Sequence, residues 1–158
     1  MELGMVGGAL EREHHEIDAG ITGFMASVEN GDPEPEQLRR AVAALRRHIY
    51  IEEQFLFPPM HEELVMPTMV MLREHGDIWR TLDKLEQELG DAPADAAITC
   101  RELMARLATH NQKEEPIFYT QTDRALSAEE NSELMTVIET GELPDGWVCR
   151  DAIVPEKG

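Results

Sequence analysis

The chain carries one helix-hairpin pattern twice, and both copies put ionisable residues where an apolar core should be. Glu13-His14-His15-Glu16-Ile17 returns in the second half as Glu74-His75-Gly76-Asp77-Ile78, both Glu-His-x-x-Ile. His48-Ile49-Tyr50-Ile51-Glu52-Glu53-Gln54-Phe55 returns as His110-Asn111-Gln112-Lys113-Glu114-Glu115-Pro116-Ile117, both His-x3-Glu-Glu followed by apolar residues. The turns recur as Gly31-Asp32-Pro33 and Gly90-Asp91-Ala92-Pro93, and His14 to His48 spans 34 residues where His75 to His110 spans 35. Two copies of a helix hairpin are the simplest source of such a pattern.

The apolar period is helical throughout. Leu10, His14, Ile17, Ile21, Phe24 and Val28 recur at steps of three and four, as do Leu38, Ala41, Leu45, His48, Glu52 and Phe55. The second half repeats this with Leu72, His75, Ile78, Leu82, Leu85 and Leu89, then Cys100, Leu103, Leu107, His110, Glu114 and Ile117. Each set lines one face of a helix. Gly31, Pro33 and Pro35 separate the first helix from the second, Pro58-Pro59 ends the second, Pro67 opens the third, and Gly90 with Pro93 divides third from fourth. Ser127 with Glu130 reads as a capping box that starts a short fifth helix, stopped by Gly141 and Pro144. The tail from Trp147 to Gly158 has no clear period and is expected to pack irregularly on the rest. The chain therefore divides into a four-helix unit over residues 1–125 and a short helix with tail over 126–158.

Composition agrees with an all-α fold: β-branched and aromatic residues are sparse beside Ala, Leu, Met, Glu and Arg. At 158 residues the chain is long enough to bury one core without staples. Fourteen basic against 32 acidic residues give a formal charge of −18. Such a surface repels phosphate backbones and anionic lipid, so neither nucleic acid nor membrane is an expected partner. Cys100 and Cys149 have no CxxC spacing, Met1 to Glu16 lacks a basic segment followed by an apolar run, and no stretch reaches membrane length, so neither a leader nor a span is expected. A reduced, cytoplasmic protein is expected.

Burying a lone histidine or glutamate costs about several kcal/mol, so six of them on four stripes need a partner. At i and i+4 two side chains stand one above the other, ~6 Å apart along the axis. His48 with Glu52 can thus reach one ion, as can His110 with Glu114, while His14 and His75 supply one imidazole each from the other two helices. Neutral imidazole suits transition metals, and a carboxylate can bridge two ions.

These motifs, together with Phe57-Pro58, resemble the haemerythrin-like (HHE) cation-binding domain over roughly residues 5–122. The resemblance implies an antiparallel up-down-up-down four-helix bundle holding two iron ions as an oxo- or hydroxo-bridged non-haem centre, with zinc or manganese as alternatives. It implies His14, His48, His75 and His110 as terminal ligands and Glu52 and Glu114 as bridges. Ferritin-like di-iron proteins need two Glu-x-x-His motifs with extra glutamates, and only Glu11-x-x-His14 fits that pattern here. The sequence departs from the oxygen carriers of the family at Trp79, four residues after His75, where a carrier has a further histidine. Glu114 also lies one residue nearer its histidine than in the carriers, with Glu115 at the carrier spacing. Both departures weigh against reversible oxygen carriage. The expected function is a di-iron protein that binds or reacts with O2, H2O2 or NO in oxidative or nitrosative stress, and the alternative is an oxygen- or iron-sensing module without turnover.

The remaining polar residues carry plainer expectations. His15 and His61 are expected at the surface, Asp18 is the one residue placed to replace the missing histidine, and Glu53 and Glu115 either orient imidazoles or face solvent. Tyr50 and Tyr119 could donate hydrogen bonds or electrons near the metals, though packing at the bundle surface is the favoured expectation, and Met66, Met69 and Met71 are expected to fill the core. Cys100 lies ~15 Å of helix from His110, too far to ligate.

Overall fold

Pro35 and Pro93 each occupy the first position of a long helix, where the missing N–H would have had no partner and the fixed φ suits the helix. The computed structural model describes residues 3–153. These form α1 (Met5–Glu29), α2 (Pro35–Ile51), a π-helical turn (Glu52–Leu56), α3 (Phe57–Met60), α4 (Val65–Asp91), α5 (Pro93–Ile117), a 3-10 turn (Tyr119–Gln121), α6 (Thr122–Ala125), α7 (Ala128–Thr140) and α8 (Arg150–Ile153). There is no strand among the described residues, and no helix among them is long and apolar enough to cross a membrane. The expected irregular tail is described only as far as Ile153; residues 154–158 lie outside the described residues.

The breaks fall close to the punctuation in the sequence, with two differences. Pro58 and Pro59 do not end the second helix. They sit in the opening turn of α3, where proline is tolerated, and the chain reaches them through the π turn. That turn, wider by one residue than an α turn, slips the stripe, so Leu56 and Phe57 are buried in place of the expected Phe55. The second difference is that α4 runs through Gly90 to Asp91, leaving Ala92 alone between α4 and α5. The capping box is as expected: the Ser127 hydroxyl accepts from the Glu130 N–H, and the Glu130 carboxylate accepts from the Ser127 N–H.

α1 packs on α2 and α5, and α4 packs on α5. The core falls into two apolar clusters. One includes Ile17, Phe24, Leu45, Ile78, Leu85 and Leu107, and the other includes Leu10, Ile51, Phe57, Leu72, Met71 and Phe118. Along α1 and α4 the chain passes from the second cluster to the first, and along α2 and α5 from the first to the second. His14, His48, His75 and His110 stand near the crossing on each helix, so a polar layer lies between two greasy ones. Of the three methionines expected in the core only Met71 is buried; Met66 and Met69 are 67% and 53% exposed. The C-terminal elements dock on this frame, α7 on α1 and α8 on α4, where a side chain on Gly76 would press into Asp151.

Candidate metal centre

Each of the four imidazoles is oriented by a carboxylate from a neighbouring helix. His14 Nδ1 lies 2.8 Å from Glu115, His48 Nδ1 2.8 Å from Glu13, His75 Nδ1 2.8 Å from Glu53, and His110 Nδ1 2.9 Å from Glu74. An ionised carboxylate only accepts, so each Nδ1 carries the hydrogen and donates it. In the neutral ring the Nε2 lone pair then faces the other way, into the polar layer. The repeat explains the pattern. The glutamate of each Glu-His pair holds the histidine of the following helix, and the second glutamate of each Glu-Glu pair holds a histidine of the other half.

The inner faces converge. His14 Nε2 and His48 Nε2 are 3.0 Å apart, two acceptors in contact if both rings are neutral. Glu52 turns Oε2 to His48 and Oε1 to His75, each at 3.2 Å. Glu114 turns Oε1 to His14 and Oε2 to His110, also at 3.2 Å. Two ligand atoms about 2.1 Å from a shared ion stand about 3.0 Å apart at a right angle, so these separations suit coordination. His75 Nε2 and Glu52 Oε1 are buried without a hydrogen-bond partner, the orphaned atoms an ion would satisfy. Ligand atoms fall into two groups, His14-His48-Glu52-Glu114 and Glu52-His75-His110-Glu114, each within 4.8 Å. All six side chains are buried, and the two glutamates belong to both groups, as bridges would.

Comparison with known proteins agrees with this geometry: the family model described as the Hemerythrin HHE cation binding domain matches residues 8–122. The chain belongs to that family. No curated protein and no solved structure matches it. The haemerythrin domain and its buried His/Glu groups fit a di-metal site. All six residues named from the sequence are brought together, and the four outer glutamates supply further negative charge that bound cations would offset.

Without metal charge, the carboxylates of the site draw three of its imidazoles, His48, His75 and His110, toward the protonated form. Burial drives the His110 imidazole down, but Glu114 and Glu74 outweigh it and hold it up at about 10. His48 and His75 are raised against the same penalty, His48 chiefly by Glu52 and Glu13 and His75 by Glu52 and Glu53. Burial pushes the Glu114 carboxyl up, yet His110 and His14 bring it well below the usual carboxylate range. Glu52 is lowered too, His48 and His75 prevailing over burial and the repulsion of Glu114. Glu74 is lowered by its bond to His110 and by Lys113.

Tyr119 takes the less favoured of its two expected places, beside the ligand atoms. It is fully buried rather than at the surface, and its hydroxyl oxygen lies 2.5 Å from Glu52 Oε2, 2.7 Å from Glu114 Oε1, 2.9 Å from His14 Nε2 and 3.1 Å from His48 Nε2. Burial, Glu114 and Glu52 together push its phenol up. Local structure puts it there. α5 carries Pro116 in its last turn and ends at Ile117, and the 3-10 turn folds Tyr119 back beneath α1, where Gly7 lets the two backbones approach. The available signal was the register: Tyr119 lies five residues after Glu114, as Phe57 lies five after Glu52.

The other candidates take plainer places. His15 and His61 are exposed, and Tyr50 packs edge-on to Phe55 and Trp147. Asp18 lies beside the cavity over the imidazoles but in neither ligand group; burial raises its carboxyl against the pull of His14 and His15. Trp79 turns into the apolar core, edge-on to Trp147 and beneath the Arg46 guanidinium at 4.5 Å. Cys149 is buried, and burial with Glu53 pushes its thiol up to about 12.

Proposed function

We propose that the chain holds two iron ions on His14, His48, His75, His110, Glu52 and Glu114, and that the centre binds or reacts with a small diatomic or peroxide ligand, O2, H2O2 or NO, in oxidative or nitrosative stress. The observation that carries the reading is the size of the space offered. A cavity of ≈ 10 Å³ is walled by the four imidazoles and by Ile17, Leu45, Ile49, Ile78 and Leu107, with Asp18 and Asn111 at its edge. That is room for about one water, a size that suits a diatomic or peroxide ligand. Iron, when bound, supplies electrons to such a ligand or takes them from it. The chain's own residues fix the imidazoles through Glu13, Glu53, Glu74 and Glu115, and keep bulk water away with apolar walls. A surface groove of ≈ 310 Å³ between α4 and α5 is lined by Glu74, which supports His110, and by Ile78, which also lines the cavity. Iron-loaded, reduced protein is expected to consume successive additions of peroxide; a single stoichiometric oxidation without turnover would reject enzymatic action.

The same reading takes the four long helices as up-down-up-down, supported by their alternating passage between the two apolar clusters. It takes residues 1–125 as the metal-binding unit and 126–158 as an appended segment, in a cytoplasmic protein with neither nucleic acid nor membrane as a partner.

One observation favours a second reading, a sensor without turnover. The Arg150 N–H donates to Glu53 Oε1 at 3.0 Å, and Glu53 Oε2 accepts from His75. Metal at His75 is thereby linked to the docking of the C-terminal segment through one carboxylate. Removing the metal should then speed proteolysis after Trp147; an unchanged digestion pattern would count against sensing.

A further inference from the structure

The two halves of the centre are not equivalent. At the position five residues after the bridging glutamate, the first half has Phe57 and the second has Tyr119. Phe57 stacks on the His75 ring, with centroids 5.6 Å apart and planes 19° from parallel, and its ring brings no donor atom. Tyr119 brings an oxygen into the His14 group, 2.5 to 3.1 Å from four of that group's ligand atoms. A hydroxyl has one hydrogen, so it can donate to only one of the two carboxylates. A protonated imidazole can donate to the phenol oxygen, but the second carboxylate, at 2.7 Å, is left facing that oxygen with no hydrogen between them, a contact that a shared cation would satisfy.

We propose, on the di-metal reading above, that the Tyr119 oxygen is a fifth protein ligand to the ion held by His14, His48, Glu52 and Glu114. The ion held by His75, His110, Glu52 and Glu114 keeps four. Tyr119 binds as phenolate, and its proton leaves to the buffer as the metal enters. The ion with fewer protein ligands is then the one left open to an incoming small molecule. An oxygen-rich shell of two carboxylates and a phenolate also favours the ferric state at the first position, so the two ions differ in redox behaviour although the sequence that binds them is duplicated.

The test uses the full-length protein loaded anaerobically with ferrous iron and oxidised with ferricyanide. Phenolate bound to ferric iron gives a visible charge-transfer band, and resonance Raman excitation in that band enhances tyrosine ring modes. The expected result is such a band with ring modes in the wild type, kept in Tyr50→Phe and lost in Tyr119→Phe while iron content stays at the wild-type level. Raman on the wild type alone remains decisive should Tyr119→Phe fold poorly. Wild-type protein that binds iron but shows no phenolate modes, or a band that survives in Tyr119→Phe, overturns the Tyr119 assignment and leaves the di-metal reading intact. Wild-type protein that takes up no iron overturns both.

Discussion

Replacing Glu53 by Gln preserves size and removes one charge from a carboxylate that serves two donors. Glu53 Oε2 accepts from His75 Nδ1 at 2.8 Å, and Oε1 accepts from the Arg150 N–H at 3.0 Å. The amide has a single acceptor oxygen, so whichever donor it serves, its own NH2 faces the other. If it turns to Arg150, the His75 ring loses the anchor that fixes its tautomer. If it turns to His75, the C-terminal segment is released. A hydrogen bond to a charged group is worth about 1.5–3 kcal/mol, and losing the support of a ligating histidine typically weakens metal binding about 10–100-fold, or about 1.4–2.7 kcal/mol. The first route weakens the ion at His75, whereas the second spares it and shows as faster proteolysis after Trp147. On the first route, anaerobic ferrous titration against a competing chelator should show one of the two ions of Glu53→Gln bound 10- to 100-fold more weakly. Glu86→Gln, which removes an exposed partner of Arg46, should leave both unchanged. Both ions of Glu53→Gln held within twofold of wild type, with proteolysis after Trp147 also unchanged, would refute the role given to this carboxylate.

Two further predictions concern the frame and the protons. Gly7→Ala drives a methyl group into the backbone carbonyl of Tyr119 and should cost about 1–3 kcal/mol, as overpacking does; an unchanged urea midpoint would show that the approach of α1 to Tyr119 is not tight. In the metal-free protein His48, His75 and His110 are raised on folding, His110 to about 10. Their stabilisation is full below the unfolded value near about 6.5 and is lost as pH rises through the folded values. The melting temperature of the metal-free protein should therefore fall between pH 6.5 and 10, whereas the iron-loaded protein, which needs neutral imidazoles, should not follow it. A metal-free melting temperature that climbs across that interval would contradict the protonated cluster.

The helices and the six inner side chains were legible because both signals are periodic. A stripe every three or four residues marks a helix face, and a histidine or glutamate on that stripe has no apolar reason to be there. What was not legible depends on features without a period. The π turn after Glu52 shifted the stripe by one residue, so Phe55 was named where Leu56 and Phe57 are buried. Tyr119 lies beyond the end of α5, where helical spacing no longer says which way a side chain points. Glu13, Glu53, Glu74 and Glu115 fall off the stripes because each reaches across to another helix; the doubled Glu-Glu pair left an orienting role open for Glu53 and Glu115, and nothing in the spacing singled out Glu13 and Glu74. Met66 and Met69 were assigned to the core by composition, yet they lie on the exposed side of the first turns of α4.

Iron bound per chain, measured by elemental analysis on wild type and on a His48→Ala/Glu52→Ala variant after identical anaerobic loading, addresses the convergence of the six side chains most directly. Two ions per chain are expected in the wild type, one for each ligand group. Glu52 belongs to both groups, so the variant should hold fewer than one, with its helical content retained. Wild-type protein without iron, or a variant that still holds two ions, would contradict the proposed centre.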